Sequence, residues 1–86
     1  MEYGKYLAEF FGTMFFVYII LATQNPIAIG VALALVMLIG NSQVNPAVSV
    51  VYASIGKIDI NDLFPFVLLQ VFGGLCALEI FKRYKL

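Results

Sequence analysis

The sequence predicts an all-α membrane protein with three transmembrane helices and one re-entrant half-helix. Of its 86 residues, 63% are hydrophobic and 12% are charged, and the mean hydropathy is +0.99. A soluble domain of this size must cover much of its surface with polar groups, and the chain has few of them. Apolar runs of helix length also alternate with polar turns. We therefore expect an integral, multi-pass location in a lipid bilayer.

Three apolar runs are candidate spans. Residues 6–22 would make a helix of about 26 Å, close to a hydrocarbon core of about 30 Å. A polar turn follows, and Pro26 suits the first position of the second span, residues 26–40. The third span is residues 63–81, with Pro65 tolerated in its first turn. A secretory signal is the alternative for the first run, but that run exceeds the usual apolar core of a signal.

The segment between the second and third spans predicts the half-helix. Residues 46–56 would form a helix of about 16 Å, which is half of a membrane core. An amphipathic helix lying on the membrane surface is the alternative. Such helices carry cationic polar faces, whereas this segment has no Lys or Arg before Lys57. The pattern therefore favours a re-entrant half-helix that begins at the membrane midplane.

The Asn-Pro pair at the start of this segment indicates what the half-helix does. Asn45 suits the N-cap and Pro46 the first helical position, where a missing N–H costs nothing. The helix dipole places about half a positive charge at that end, which repels cations. Residues 41–44 cannot be helical, so their carbonyls would be left unpaired toward the same cavity. Donors and carbonyls together predict a path for water or a hydroxylated solute.

Composition also excludes other classes of function. The net charge is formally zero with no interior basic run, which argues against nucleic acid as a partner. Cys76 is the only cysteine, so an internal disulfide is impossible. The sequence also contains no His. We expect a non-enzymatic protein without a bound cofactor or metal.

Four segments resemble one known family. These are AEFFGT at residues 8–13, Gly30, NPAVS at residues 45–49 and QVFGGLCA at residues 70–77. Taken in this order, they are similar to the aquaporin and glycerol-facilitator (major intrinsic protein) family. Family members have six spans and two half-helices in two inverted repeats, and this chain has three and one. The resemblance implies a half-length, single-repeat member, equivalent to one aquaporin repeat.

The resemblance assigns roles at the half-helix. Asn45 would supply side-chain donors at the pore centre, and Pro46 and Ala47 would shape the start of the half-helix. Four glycines of the bundle would permit close helix packing, as in any membrane bundle: Gly12, Gly30, Gly73 and Gly74.

Two polar residues inside the spans have competing interpretations. By resemblance, Glu9 would be a buried carboxylate that anchors the re-entrant loop; alternatively it is an interfacial residue paired with Lys5. By resemblance, Gln70 would form a hydrogen bond across helices near the half-helix. Alternatively, its hydrogen bond would only hold two membrane helices together, without any role at the half-helix.

The chain departs from the family pattern at the selectivity filter. Val48 stands after the signature, where the second family repeat has an Arg, and Gln43 stands where the family often has His. The filter position on the second helix corresponds to Ile29. The resemblance therefore implies an apolar filter.

Three spans cannot enclose a pore, so we expect assembly. Lys5 and Lys57 would lie on one side of the membrane, and Lys82, Arg83 and Lys85 on the other. This split is nearly even, so the chain could insert both ways and form an antiparallel homodimer. The alternative is a fixed orientation with a separate second half. The family's habit of grouping four pores would make the assembly an octamer.

The sequence therefore predicts a passive channel for water and small uncharged solutes such as glycerol. One alternative is a small dual-topology exporter that couples transport to protons through Glu9. A second is a structural membrane peptide that acts by oligomerisation alone.

Overall fold

The computed structural model describes residues 3–84. It contains α1 (Gly4–Thr23), α2 (Pro26–Gly40), α3 (Pro46–Ser54) and α4 (Ile60–Arg83), and no strand within the described residues. The all-α prediction is confirmed. By length and composition α1 and α4 are long and apolar enough to cross a membrane. With 15 residues, or about 22 Å, α2 is shorter, so three crossings stay a prediction.

The same Asn-Pro device begins α2 and α3. The Asn25 side-chain oxygen accepts hydrogen bonds from the main-chain N–H groups of Ile27 (2.8 Å) and Ala28 (3.2 Å). The Asn45 oxygen accepts one from the N–H of Ala47 at 2.8 Å. In both helices the next residue is proline, whose fixed φ and missing N–H suit the first helical position. These starts are therefore encoded locally.

α3 is shorter than the segment predicted as a half-helix. It ends at Ser54 rather than at residue 56. Gly56 adopts a φ of +79°, and the N–H groups of Lys57 and Ile58 turn back to the Tyr52 carbonyl at 2.8 and 3.3 Å. This turn closes the helix at nine residues, which is about 13.5 Å.

The last helix begins earlier than predicted. Asp59 caps it by accepting a hydrogen bond from the N–H of Asn61 at 2.8 Å, so α4 starts at Ile60. Pro65 therefore lies in the second turn, and its placement in the first turn was wrong. Its missing N–H leaves the Asn61 carbonyl without the usual helical bond, a cost confined to the helix end.

The two long helices run in the same direction. At their N-terminal ends the Lys5 ammonium lies 2.7 Å from the Asp62 carboxylate. Toward their C-terminal ends the Tyr18 hydroxyl donates to the Tyr84 carbonyl at 3.3 Å. α2 returns in the opposite direction and packs on α1, while α3 packs on α4. The chain thus returns after α2 to the end where it started, and α3 begins inside the bundle.

Glycines decide how closely the helices approach. A Cβ at Gly73 would lie 2.6 Å from the Phe10 carbonyl oxygen, so α4 meets the main chain of α1 there. A Cβ at Gly40 would lie 3.2 Å from that of Ala8, where α2 crosses α1. Around Gly30 nothing lies within 4 Å. The prediction that Gly30 permits close packing is therefore wrong within the chain, because this residue faces outward.

The interior is partly polar and the exterior largely apolar, a combination that is unusual for a soluble protein. Within residues 3–84, six polar or charged residues are buried: Glu9, Thr13, Ser42, Ser49, Asp62 and Gln70. Large apolar residues are exposed along the outside, on α1 (Leu7, Phe11 and Phe15) and on α4 (Phe64, Leu68, Val71, Phe72 and Leu75). The molecule measures 39 × 23 × 23 Å, and its long axis exceeds a hydrocarbon core of about 30 Å.

Candidate functional site

A single carboxylate holds the segment that leads into α3. Glu9, on α1, is only 1% exposed. Its two oxygens accept hydrogen bonds from the main-chain N–H groups of Gln43 (2.9 Å) and Val44 (3.2 Å). The hydroxyl of Ser42 lies 3.5 Å away. The alternative prediction, in which Glu9 is interfacial and pairs with Lys5, is wrong. Glu9 is buried against the loop, and Lys5 contacts Asp62.

Gln70 joins the same network from α4. Its side-chain amide donates to Glu9 and to the Ser49 hydroxyl, both at 2.9 Å. The Ser49 hydroxyl in turn donates to the side-chain oxygen of Gln43 at 2.6 Å. The Gln70 oxygen has no partner among the described residues. The network therefore ties α1, the loop, α3 and α4 together inside the bundle.

Sequence reasoning missed two members of this arrangement, Ser42 and Ser49, although it named Gly12 as a packing residue. Ser49 is fully buried and Ser42 is 2% exposed. The signal for Ser49 was its position four residues after Asn45, which puts both on one helical face. Gly12 makes room for the loop, since a Cβ there would lie 2.6 Å from the Ser42 hydroxyl oxygen. No local pattern marks Ser42, whose burial depends on its approach to α1.

The loop itself is strained at one residue. Asn41 and Val44 have φ values of 53° and 52°. Asn tolerates the left-handed region, but a β-branched residue rarely adopts it, and such conformations cost on the order of 1–3 kcal/mol. The Val44 side chain is buried and its N–H is held by Glu9. These contacts keep the loop in a conformation that it would not adopt alone.

A cavity of about 230 Å³ opens beside this loop. One wall is apolar, formed by side chains of α1 and α2 that include Phe16, Leu33 and Met37. The opposite wall is formed by residues 41–45 and Val48. Within residues 3–84, no hydrogen bond reaches the main-chain carbonyls of residues 41–44. The cavity therefore has one apolar side and one side rich in free acceptors.

Of the three residues of the Asn-Pro signature, only Asn45 lines this cavity. Asn45, Pro46 and Ala47 are all exposed. Asn45 lines the cavity and uses its side-chain oxygen to cap α3. Within one chain, the N-terminus of α3 is therefore open on one side.

The three filter candidates are not brought together. Val48 and Gln43 line the cavity. Ile29 is half-buried near the start of α2 and does not line it. Ile29 lies one helical turn before Leu33, which does line the cavity, so Ile29 is displaced from the cavity along α2 rather than rotated away from it. A filter built from all three is therefore not present within a single copy.

A second cavity, of about 620 Å³, lies on the α1 N-terminal side of the loop. Asn41 and Gln43 line both cavities, so the two adjoin at the loop. Charged groups of both signs surround the larger one, among them Lys57 and Asp62. Asp62 accepts a hydrogen bond from the Tyr6 hydroxyl at 2.6 Å as well as its ion pair with Lys5. The lining of this cavity is therefore more polar than that of the smaller one.

The arrangement offers a small solute both donors and acceptors. The Asn45 amide and the N-terminus of α3 supply donors and positive potential, and the loop carbonyls supply acceptors. Water and hydroxylated molecules can use both kinds of group, whereas a cation meets the positive helix end. No family model, curated protein or solved structure matches this chain.

Proposed function

We propose that this chain is a half-length member of the aquaporin and glycerol-facilitator family. It is a passive channel for water and small uncharged solutes such as glycerol, with a pore formed by two antiparallel copies. In this proposal α1, α2 and α4 cross the bilayer and α3 is the re-entrant half-helix. The apolar exterior, the polar interior and the span-length helices α1 and α4 support a membrane location. The short α2 is accommodated by local thinning of the bilayer.

The observation that carries the proposal is the depth at which α3 begins. Gln70 lies near the middle of α4 and bonds Ser49, in the first turns of α3. The free N–H groups and the loop carbonyls therefore fall near half the depth of the bundle. Lipid cannot satisfy such groups, so non-helical backbone at this depth has to line a water-filled cavity. A conducting path explains both the loop and the cavity beside it.

The hydrogen bonds of Glu9 favour a passive channel over a proton-coupled exporter. The four groups that contact its carboxylate are all hydrogen-bond donors, which suits a carboxylate that only accepts. A proton on Glu9 would displace a donor that holds the loop. Asp62 is the other buried carboxylate among residues 3–84, and it is paired with Lys5 at the helix ends.

The antiparallel pairing is supported by geometry and charge together. α3 spans only about 13.5 Å, so a single copy provides a path through half of the membrane. Lys5 and Lys57 line the same cavity at one end, whereas Lys82 and Arg83 lie in the last turn of α4 at the other. Lys85, also assigned to that side, lies outside the described residues. A near-even distribution of cations lets both orientations insert at comparable cost.

An osmotic assay tests the function. Purified protein in liposomes should accelerate shrinkage in a sucrose gradient, without any proton gradient. Asn45→Leu removes the cap, which contributes about 1 kcal/mol, and the donor, so a folded variant should lose flux. Normal flux in folded Asn45→Leu protein would refute the assignment. Transport that requires a proton gradient and stops with Glu9→Gln would establish the exporter instead.

Labelling with an impermeant reagent tests the orientation. A single Cys is placed at the C-terminus after Cys76→Ser, and intact and lysed cells are labelled in parallel. We expect about half of the molecules to react before lysis, as dual insertion requires. Labelling of all or none in intact cells would mean one fixed orientation. Adding Lys residues beside Lys57 should bias insertion and lower activity, and an oppositely biased variant should restore it.

A further inference from the structure

An apolar groove between α1 and α2 runs into the 620 Å³ cavity. The groove has a volume of about 360 Å³. Its rims carry Phe11 and Phe15 of α1 and Leu35 of α2, and all three side chains are exposed. Three residues line both spaces, which are therefore continuous: Ala8, Ile39 and Gly40. A continuous site that is apolar at one end and charged at the other fits an amphiphilic ligand.

The groove and the cavity are arranged along the bundle as the parts of a lipid are arranged in a membrane. The cavity lies at the N-terminal end of α1, beside Lys5, and the groove extends along α1 from Ala8 to Phe15. That step of α1 is about 10.5 Å long, which stays within one half of a hydrocarbon core of about 30 Å. A phospholipid of that leaflet can therefore place an acyl chain in the groove and its headgroup in the cavity.

Two opposite charges in the cavity are left over after the internal contacts are matched. Asp62 is paired with Lys5 at 2.7 Å, and Glu9 is buried and accepts hydrogen bonds from the loop. Lys57 and Asp59 also line the cavity. In the described part of the chain, neither of these two forms an ion pair. The cavity therefore offers a ligand one cation and one anion.

Both of these groups have capacity for a ligand. The Lys57 ammonium lies 4.7 Å from the centre of the Tyr52 ring, a cation–π contact that leaves its N–H groups available to a phosphate oxygen. Asp59 caps α4 with one carboxylate oxygen. No hydrogen bond from the residues that the structure describes reaches its second oxygen. That oxygen is therefore open to an ammonium group.

We propose that the groove and the cavity together bind one phosphatidylethanolamine molecule. One acyl chain lies between α1 and α2, the phosphate contacts Lys57 and the primary ammonium contacts Asp59. A primary ammonium donates hydrogen bonds to a carboxylate, whereas the quaternary ammonium of a choline lipid has no N–H to donate. A glycerol headgroup brings no cation for Asp59. The proposal requires a membrane location but no conduction, so it goes beyond the proposed function.

Quenching of tryptophan fluorescence by brominated lipid tests the acyl-chain site, because the sequence contains no Trp. Leu35→Trp places the reporter in the groove, and Leu75→Trp, on the exposed face of α4, is the matched control. In detergent micelles, brominated phosphatidylethanolamine should quench Leu35→Trp at a mole fraction about threefold to fivefold lower than Leu75→Trp, a gain typical of exposed charge pairs. Equal mole fractions for the two reporters would mean an ordinary lipid annulus and overturn the proposal. Protection of Leu35→Trp from every lipid would also overturn it, and would indicate a second copy in the groove.

The choice of headgroup tests the charged end, with Leu35→Trp as the background. Phosphatidylcholine and phosphatidylglycerol with the same brominated chains should need mole fractions about threefold to fivefold higher for equal quenching. Lys57→Gln should abolish this preference. Asp59→Asn keeps a side-chain oxygen for the α4 cap and should remove the advantage over phosphatidylglycerol, because only the cation is left. Lys82→Gln, in the last turn of α4, is the matched control and should keep the preference; an unchanged preference in Lys57→Gln would contradict the headgroup site.

The outcomes separate this site from the channel. If the protein selects phosphatidylethanolamine but does not accelerate liposome shrinkage, the lipid site stands and the channel falls. If liposomes without this lipid shrink faster with the protein and quenching shows no headgroup preference, the channel stands and the lipid site falls.

Discussion

Replacement of Glu9 by Leu removes the carboxylate that holds the main chain of the loop before α3. Leu has a similar volume and suits a membrane helix, so α1 itself should persist. What changes is the set of donors around the lost carboxylate. The N–H groups of Gln43 and Val44 and the side-chain amide of Gln70 all lose an acceptor.

The cost follows from these contacts. Each buried donor left without a partner costs about 1–3 kcal/mol, so three of them cost at least about 3 kcal/mol. The strained backbone of Val44 loses its restraint as well, since the N–H of this residue is held by Glu9. We therefore expect the loop and α3 to detach from the bundle while α1 and α4 remain paired.

Unfolding in detergent, followed by circular dichroism, measures this effect. Glu9→Leu should lower the free energy of unfolding by about 3 kcal/mol or more. Glu9→Gln keeps one acceptor oxygen and should fall in between. Glu79→Leu is the matched control, because Glu79 is exposed and its contacts to Lys82 and Arg83 are 3.6 and 3.9 Å long; it should cost less than about 0.5 kcal/mol. A Glu9→Leu protein as stable as wild type would refute the anchoring role.

Three further substitutions test the packing and the helix ends. Gly73→Leu should lower the free energy of unfolding by about 1–3 kcal/mol in a denaturation experiment, because its Cβ would lie 2.6 Å from the main chain of α1. Gly74→Ala is the matched control and should be tolerated, because its Cβ would have its nearest neighbour at 3.7 Å. Asp62→Asn should weaken the ion pair with Lys5 and cost only about 1 kcal/mol, because Lys5 is partly exposed; a loss of folding would contradict this. Asn25→Ala should cost about 1 kcal/mol through the cap of α2, and an unchanged melting temperature would show that the cap is not needed.

The helical architecture could be predicted from the sequence because its determinants are local. The starts of α2 and α3 depend on Asn25 and Asn45, each followed by a proline that fits the first helical position. Long apolar runs identify α1 and α4 because the length and composition of a run are read from neighbouring residues and need no distant contact. The predicted helix bounds were wrong where a turn ends a helix before the apolar segment does. At Gly56, a φ of +79° belongs to the turn that ends α3 early.

The candidate site could be predicted only in part from the sequence. Glu9 and Gln70 stand out as polar residues within apolar helices, and such residues rarely lack a structural or functional partner. Their partners could be named only loosely, because Glu9 and Gln43 lie 34 residues apart and Glu9 and Gln70 lie 61 apart. Ser42 carries no sequence signal at all.

The sequence by itself determined that the chain is helical and apolar, that α3 is too short to cross a membrane, and that Asn45 begins it. These features follow from propensity, capping and hydrophobicity, which act over a few residues. Only the tertiary structure decided that Glu9 faces the loop rather than Lys5, that Ile29 lies beyond the end of the cavity and that Gly30 faces outward. Each depends on how α1, α2 and α4 are rotated against one another, and that rotation is set by close contacts such as Gly73 on Phe10, between residues far apart in the chain.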